Sequence, residues 1–444
     1  MEEVTLETKI EVTARRFLEV SKGKEIFVVS HFDTDGITSA ALMTKTLKKL
    51  DKRFSLKIVK SLSKEFIDSL PKNKVILFLD LASGSLEHLK NSEIEEIFIF
   101  DHHEIISEVP EKINIVNPEL HDKQKISGSG ITYLFCKQMN TEIKEFAKLA
   151  VLGMIGDCLE KEIDKLNHDI LNDSEIKRKR GLLIYPSTRP LNRTLEYSSN
   201  PYIPDVTGNI KGVLEILRET GLSPKNGKYK SLIELTDEEM EKLTTAVMLR
   251  KPISKNQEII GDIFLLKFYN KLEDARELSA KINACSRLGK PEVALQMCME
   301  LNGANKKADS IYTKYRQEII SALKFVEETE KIQGKNFVII NAKGEIKDTM
   351  AGTIASILSN SSEYEEGTII TTLAHYDDKI KISSRMVGKH GRNVREILNN
   401  VVNQLEGEVG GHENAAGCII SKQDEKQFID LLKKQLEVEV IKVN

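Results

Sequence analysis

One histidine and two aspartates fall within five residues of each other in HFDTDG (His31, Asp33, Asp35), where an apolar run gives way to an amphipathic one. Three later clusters repeat the chemistry: Asp80 closes VILFLD, Asp101, His102 and His103 form DHH, and Asp157 follows the glycine of VLGMIGD. Carboxylates gathered in one place raise one another's pKa values. Such a set is therefore costly without cations among it. Oxygen and imidazole ligands with no thiolate select Mn²⁺ or Mg²⁺ over structural zinc. Two ions roughly 3.5–4 Å apart, sharing one carboxylate, make a site for in-line attack on phosphorus. Taken singly, HxDxDG is also a strand-end turn with a helix cap, Asp80 a turn residue and Asp157 a helix cap. The four in this order on successive elements argue for a binuclear site.

Those residues need a scaffold that brings them to one place. EIFVVS (25–30), LKIVKS (56–61), KVILFLD (74–80) and EIFIFD (96–101) read as strands, and GITSAALMTKTLKKL (36–50) and SGSGITYLFCKQM (127–139) as helices. Strands this apolar are buried on both faces of a parallel sheet. The fold class is therefore α/β, with a doubly wound, mostly parallel sheet whose carboxyl edge collects HFDTD, DLAS and DHHE.

At 444 residues the chain has room for two or three domains. The expected division is a catalytic domain over 1–230, with a loop or lid insertion near 174–209, a helical connector over 231–331 and a second, smaller α/β domain over 332–444. The insertion opens with the basic run Lys177, Arg178, Lys179, Arg180 and continues into the Pro- and Asn-punctuated LLIYPSTRPLNRTLEYSSNPYIPDVTGN. With Arg189 and Arg193 it is a candidate guide for a nucleic-acid strand, and Tyr185, Tyr197 and Tyr202 are candidates for base stacking. TDEEMEKL, DARELSAKINACSRLG and the stretch 305–331 read as helices of the connector.

The net charge of −3 gives no whole-chain signature of nucleic-acid binding, so any basic site is local. No run approaches the ~18 apolar residues of a membrane helix, and the acidic start MEEVTLETKIE lacks the features of a signal peptide. A cytoplasmic protein with no membrane partner is expected. The five cysteines show no CxxC spacing and read as buried thiols.

HFDTDG, FLDLAS, DHHE and IGDC resemble the motifs of the DHH phosphoesterase superfamily, and EVGGHENAAG resembles the glycine-histidine motif of its DHHA1 domain. ISGSGITYLF, RGLLIYPSTRPL and INACSRLGKPEVAL are similar to archaeal RecJ-like nucleases, the GINS- or Hef-associated type. The resemblance covers nearly the whole chain. It implies that His31, Asp33 and Asp80 hold one metal, that Asp35, Asp80, His102 and Asp157 hold the other with Asp80 bridging, that His103 faces the scissile phosphate, and that Asp101 orients its neighbours. It implies phosphate binding by Gly410, Gly411 and His412, and by Ser383 and Arg385 of KISSRM. Val409 stands where the family often has a third glycine. Arg189 joins the substrate-binding candidates.

The activity so implied is a Mn²⁺- or Mg²⁺-dependent exonuclease, Mn²⁺ preferred, that degrades single-stranded DNA, with RNA as a second substrate, to mononucleotides in repair or replication. A Hef-type helicase, GINS or a second copy of the chain are the implied partners. Two alternatives stay open: a short-oligonucleotide or cyclic-dinucleotide phosphodiesterase, and an inactive replisome scaffold.

Overall fold

The structure is a computed structural model that describes residues 5–105, 107–121, 123–139, 142–198, 201, 203–250, 259–361, 363–388, 390–405 and 407–437, the side chain of residue 408 excepted. Tyr202, one of the stacking candidates, lies outside the described residues.

Five strands, β1 (Ile26–His31), β2 (Phe54–Val59), β3 (Val75–Leu79), β4 (Glu96–Phe100) and β5 (Ile113–Val116), form a sheet of order β2-β1-β3-β4-β5. Every neighbouring pair is parallel. Alternate residues of β3 enter different cores: Val75, Leu77 and Leu79 pack with one cluster, Ile76 and Phe78 with another. Helices cover both faces, as the apolar strand sequences require. The first of these clusters takes Ile37, Ala41 and Leu42 from the helix Thr34–Lys49, and Ile131 and Phe135 from Gly128–Gln138. It also takes most of Ala147–Gly156, a helix apolar on nearly all sides and accordingly buried. The strand order reverses between β1 and β3, and the crevice at the carboxyl ends beside such a reversal is where open α/β sheets bind ligands. β1 ends in His31 there, and Asp80 follows β3.

Two compact units make up the chain, and they do not follow its order. The first comprises Met1–Pro190, Lys230–Leu235 and Ile260–Tyr312; the second comprises Leu191–Tyr229, Thr236–Ile259 and Thr313–Asn444. The connector foreseen over 231–331 is thus divided between them, and it is not wholly helical. Its strands β7 (Ile260–Phe268) and β8 (Lys271–Asp274) complete an antiparallel sheet, β6-β7-β8, with β6 (Lys177–Leu182).

The basic run, expected within an irregular loop, is therefore a strand. Its alternation separates the charges: Lys179 turns inward and donates to the carbonyls of Ile233 (2.9 Å) and Leu235 (2.5 Å), whereas Arg178 and Arg180 remain exposed, Arg178 3.9 Å from Asp262. The same insertion also holds the helix Leu191–Glu196. One thiol departs from expectation too. Cys158 is exposed, at a left-handed φ of 58° just beyond the end of Ala147–Gly156, while Cys136, Cys285, Cys298 and Cys418 are buried.

In the second unit, β9 (Ile332–Gly334), β10 (Phe337–Asn341), β11 (Ile369–Tyr376), β12 (Lys379–Met386), β13 (Gly407–His412) and β14 (Ala415–Ser421) form a sheet of order β13-β14-β12-β11-β10-β9. Only β10 and β11 run parallel. Ile397, Leu398 and Val401 of the helix Val394–Val402 and Phe428 and Leu432 of Glu425–Glu437 pack into its core.

Candidate metal centre

Each member of the cluster is placed by the end of an element. Asp33 caps the helix Thr34–Lys49, accepting the Gly36 amide at 3.1 Å, and Asp35 lies in that helix's first turn. Asp35 also receives the Ser129 amide at 3.0 Å, at the amino end of Gly128–Gln138, so its carboxyl group meets the positive end of a second helix. Asp80 leaves β3 with φ 58° and Ala82 follows at φ 96°. Left-handed backbone of this kind costs energy in a non-glycine residue and concentrates at functional sites. Asp157 caps the carboxyl end of Ala147–Gly156.

The side chains converge in two overlapping groups. His31 Nδ1 lies 3.0 Å from Asp33 Oδ2 and 3.3 Å from Asp80 Oδ2. His102 Nε2 lies 3.3 Å from Asp80 Oδ1, 3.3 Å from Asp157 Oδ2 and 3.8 Å from Asp35 Oδ2. Asp80 thus shows one oxygen to each group. In each of the triads His31–Asp33–Asp80, Asp35–His102–Asp157 and Asp80–His102–His103, the donor atoms lie within 4.8 Å of one another.

Asp35 Oδ2, Asp80 Oδ1 and Asp157 Oδ2 are buried and make no hydrogen bond. Buried carboxylate oxygens without donors are strongly disfavoured. Here the bare oxygens all surround one imidazole nitrogen, the donor set a hard divalent cation takes. The residues fit a metal.

The electrostatics agree. Burial first, then the charge of Asp35, pushes the carboxyls of Asp80 and Asp157 well above the usual carboxylate range. Burial also opposes ionisation of Asp33, but His31 outweighs it and holds that carboxyl low. His31 and His102 are desolvated, yet the surrounding carboxylates raise both imidazoles above their ordinary value.

Asp101 is fully buried and organises the DHH loop. Its carboxylate accepts the amides of Ser83 (2.9 Å), His102 (2.9 Å) and His103 (3.3 Å), and the ring of His103 at 2.6 Å. Against the desolvation of His103, that contact and the Asp101 charge raise its pKa. Asn117, at the end of β5, donates to Ser83 Oγ and to the His103 carbonyl, both at 2.9 Å.

Asn117, Gly128 and Gly153 were missing from the sequence reading. A Cβ on Gly128 would stand 2.9 Å from Asp80 Cβ, and one on Gly153 would stand 2.2 Å from Asp35 Oδ1. Neither position has room for a side chain. The signal for Gly128 was present, because SGSG is a serine cap followed by small residues; Asn117 was hidden because the four-residue β5 was not recognised.

The substrate-binding candidates fall into two places. Across β14, Ser383 and Gly410 flank Gly417, Arg385 and His412 flank Ala415, and Gly411 opposes Ala416. The two motifs of the second unit therefore lie in adjacent rows of one sheet. Arg385 donates from Nε to Ser356 Oγ (3.1 Å), and a Cβ on Gly352 would stand 3.3 Å from its Nη2 and 3.5 Å from Ser383 Oγ. Gly411 has φ 119°, and a side chain there would meet the Ala415 carbonyl. Val409, in place of a third glycine, packs against the core of this unit. Arg189 belongs to the first unit, lies outside the metal cluster and is 3.1 Å from the buried Glu277 carboxylate.

Comparisons with known proteins identify the domains and the fold. The DHH family N-terminal domain matches residues 25–154, the DHH-CID domain 184–259 and the DHHA1 domain 334–438. An uncharacterized protein of Methanocaldococcus jannaschii is 28% identical over 419 residues, 91% of each chain. The fold is similar to that of RecJ from Thermus thermophilus in complex with Mn²⁺, with TM-score 0.61 and 17% identity, covering 99% of this chain and 56% of that one. This chain thus spans little more than half of that RecJ. A second manganese-bound exonuclease RecJ gives 0.60 and 17% over 97% of this chain and 95% of the other. CDC45 from Entamoeba histolytica gives 0.64 and 11% over 96% and 99%. With the DHH domain carrying His31, Asp33, Asp35, Asp80 and the Asp101–His103 loop, Asp157 three residues beyond it, and the DHHA1 domain carrying Ser383, Arg385 and His412, the chain is a DHH/DHHA1 protein with a fold similar to that of RecJ.

Proposed function

We propose that this protein is a metal-dependent phosphodiesterase that removes mononucleotides from single-stranded DNA, with RNA as a second substrate. The observation that carries the reading is the pair of histidine–carboxylate groups sharing Asp80, whose bare buried oxygens call for cations. His31, Asp33 and Asp80 would hold one ion, and Asp35, Asp80, His102 and Asp157 the other. Bound Mn²⁺ or Mg²⁺ would activate water and offset charge on the phosphoryl oxygens.

The chain's own residues supply the rest. Asp101 fixes the Nδ1 side of His103, which leaves Nε2 to meet the scissile phosphate or protonate the departing oxygen, and the contact with Asp101 favours the protonated imidazole. In the second unit, Arg385 and the Gly410–His412 strand would supply guanidinium, amide and imidazole donors for a phosphate. The RecJ folds described with manganese, one of them as an exonuclease, support the choice of metal and of an exonuclease activity. The likeness to CDC45 supports a scaffold reading instead. A retired site, however, has no energetic reason to keep four mutually repelling carboxylates.

The test is digestion of single strands labelled at either end, beside duplex and RNA controls. Mn²⁺-dependent release of mononucleotides from single strands, lost in Asp80→Ala, is expected. Cleavage of dinucleotides alone would favour the oligonucleotide alternative, and no cleavage of any substrate would favour the scaffold.

A further inference from the structure

The motif INACSRLG takes no part in the site as described so far, yet its helix, Ala275–Arg287, touches the metal loops. Thr34 stands between Asp33 and Asp35. Its amide, one of the donors a helix start leaves unpaired, goes to Asn283 Oδ1 at 3.1 Å. Its hydroxyl donates to the Ser279 carbonyl at 3.1 Å and lies 3.0 Å from Ser279 Oγ. On its other side Thr34 meets Gly156, the residue before Asp157: a Cβ there would stand 2.8 Å from Thr34 Cβ and 2.9 Å from its Cγ2. One turn earlier on the same helix, Arg276 lies 3.6 Å from Glu160, in the turn after Asp157. Residues 276, 279 and 283 are spaced to share one helix face.

We infer that the Ala275–Arg287 helix is a positioning element of the metal centre, its Arg276–Ser279–Asn283 face clamping Thr34 so that the loop of Asp33 and Asp35 and the loop of Asp157 keep a fixed separation. The inference rests on the metal reading above. Ser279 and Asn283 act through their hydrogen bonds to Thr34. Thr34 is buried at 1% exposure and packed on both sides, so it has little freedom to shift once the helix holds it.

The experiment is a Mn²⁺ titration of the full chain, followed by the electron paramagnetic resonance of free Mn²⁺, with hydrolysis measured alongside. Thr34→Val removes the hydroxyl donor at nearly constant shape, Thr34→Ser restores it, and Asn283→Ala removes the acceptor for the amide. Second-layer partners of metal ligands change affinity by about 10- to 100-fold. Thr34→Val and Asn283→Ala are each expected to bind Mn²⁺ at least about ten-fold more weakly and to recover hydrolysis at saturating Mn²⁺, whereas Thr34→Ser should stay close to wild type. Wild-type Mn²⁺ affinity in folded Thr34→Val and Asn283→Ala overturns the positioning role and leaves the metal reading standing. A wild-type chain that binds no Mn²⁺ overturns the metal reading, and this inference with it. Should Thr34→Val not fold, Asn283→Ala, at a half-buried position, decides the question.

Discussion

At the scale of single residues, the centre is held together against its own charges. Asp35 is fully buried, and its charge is the leading electrostatic reason that Asp80 and Asp157 resist ionisation. Asp35→Asn should therefore stabilise the metal-free chain at neutral pH, on the order of 1 kcal/mol per pKa unit relieved, and abolish the stabilisation that Mn²⁺ confers. Thermal melts in chelator and in Mn²⁺ check both halves. A metal-free variant less stable than wild type would show that Asp35 is held mainly by its helix-end contacts.

The same groups set a pH dependence. Asp80, Asp157, His31, His102 and His103 all have folded pKa values raised above the ordinary range. A raised group contributes stability that is complete below its unfolded pKa and is lost as pH rises through the folded one. The metal-free protein should thus lose stability as pH rises above about 4, where unfolded carboxyls deprotonate, and lose more above about 6.5, where unfolded imidazoles do. Mn²⁺ binds the deprotonated ligands, so the gap between melts with and without Mn²⁺ should widen with pH. Asp33 and Asp101, whose pKa values are lowered, contribute in the opposite sense, and only at acid pH.

At the scale of elements, close approach replaces side-chain volume. The amino end of Gly128–Gln138 and the helix Ala147–Gly156 come so near Asp35 and Asp80 that only glycine fits at 128 and 153. Gly153→Ala should cost about 1–3 kcal/mol through overpacking and weaken Mn²⁺ binding as well, whereas Gly84→Ala, where a Cβ meets nothing within 4 Å, should do neither. Denaturant melts with matched Mn²⁺ titrations distinguish the two.

Much of this layer was legible in the sequence. The β1, β3 and β4 runs are apolar, end in polar motifs and lie next to one another in the sheet, so the motifs had to converge. The unrecognised strands are those whose identity depends on a distant partner. β6 reads as a charged loop until β7, some eighty residues later, supplies its ladder and Asp262. β13, GEVGGH, has too few side chains to show an alternation and is a strand because β14 pairs with it.

At the scale of the molecule, the chain is nearly neutral, so the polymer substrate proposed above would have to be guided by local charge. Arg178 and Arg180, exposed on β6, are the positions to test. Each phosphate contact on a single strand contributes about 0.7 to the slope of log K against log salt. The double variant Arg178→Ala, Arg180→Ala should lower that slope by roughly 1.4 without changing Mn²⁺ affinity, as strand-binding titrations at several salt concentrations would show. Lys179→Ala, which loses two carbonyl contacts instead, should destabilise the fold and leave the slope alone. Among the described residues, no helix is long and apolar enough to cross a membrane.

The central claim, that two cations share Asp80, is tested most directly by counting bound Mn²⁺ and its spin coupling in the full chain by electron paramagnetic resonance. The account predicts two ions per chain with the spectrum of a coupled pair, and loss of that coupling in Asp80→Ala. A single uncoupled ion in the wild type, or an unchanged coupled pair in Asp80→Ala, would contradict it.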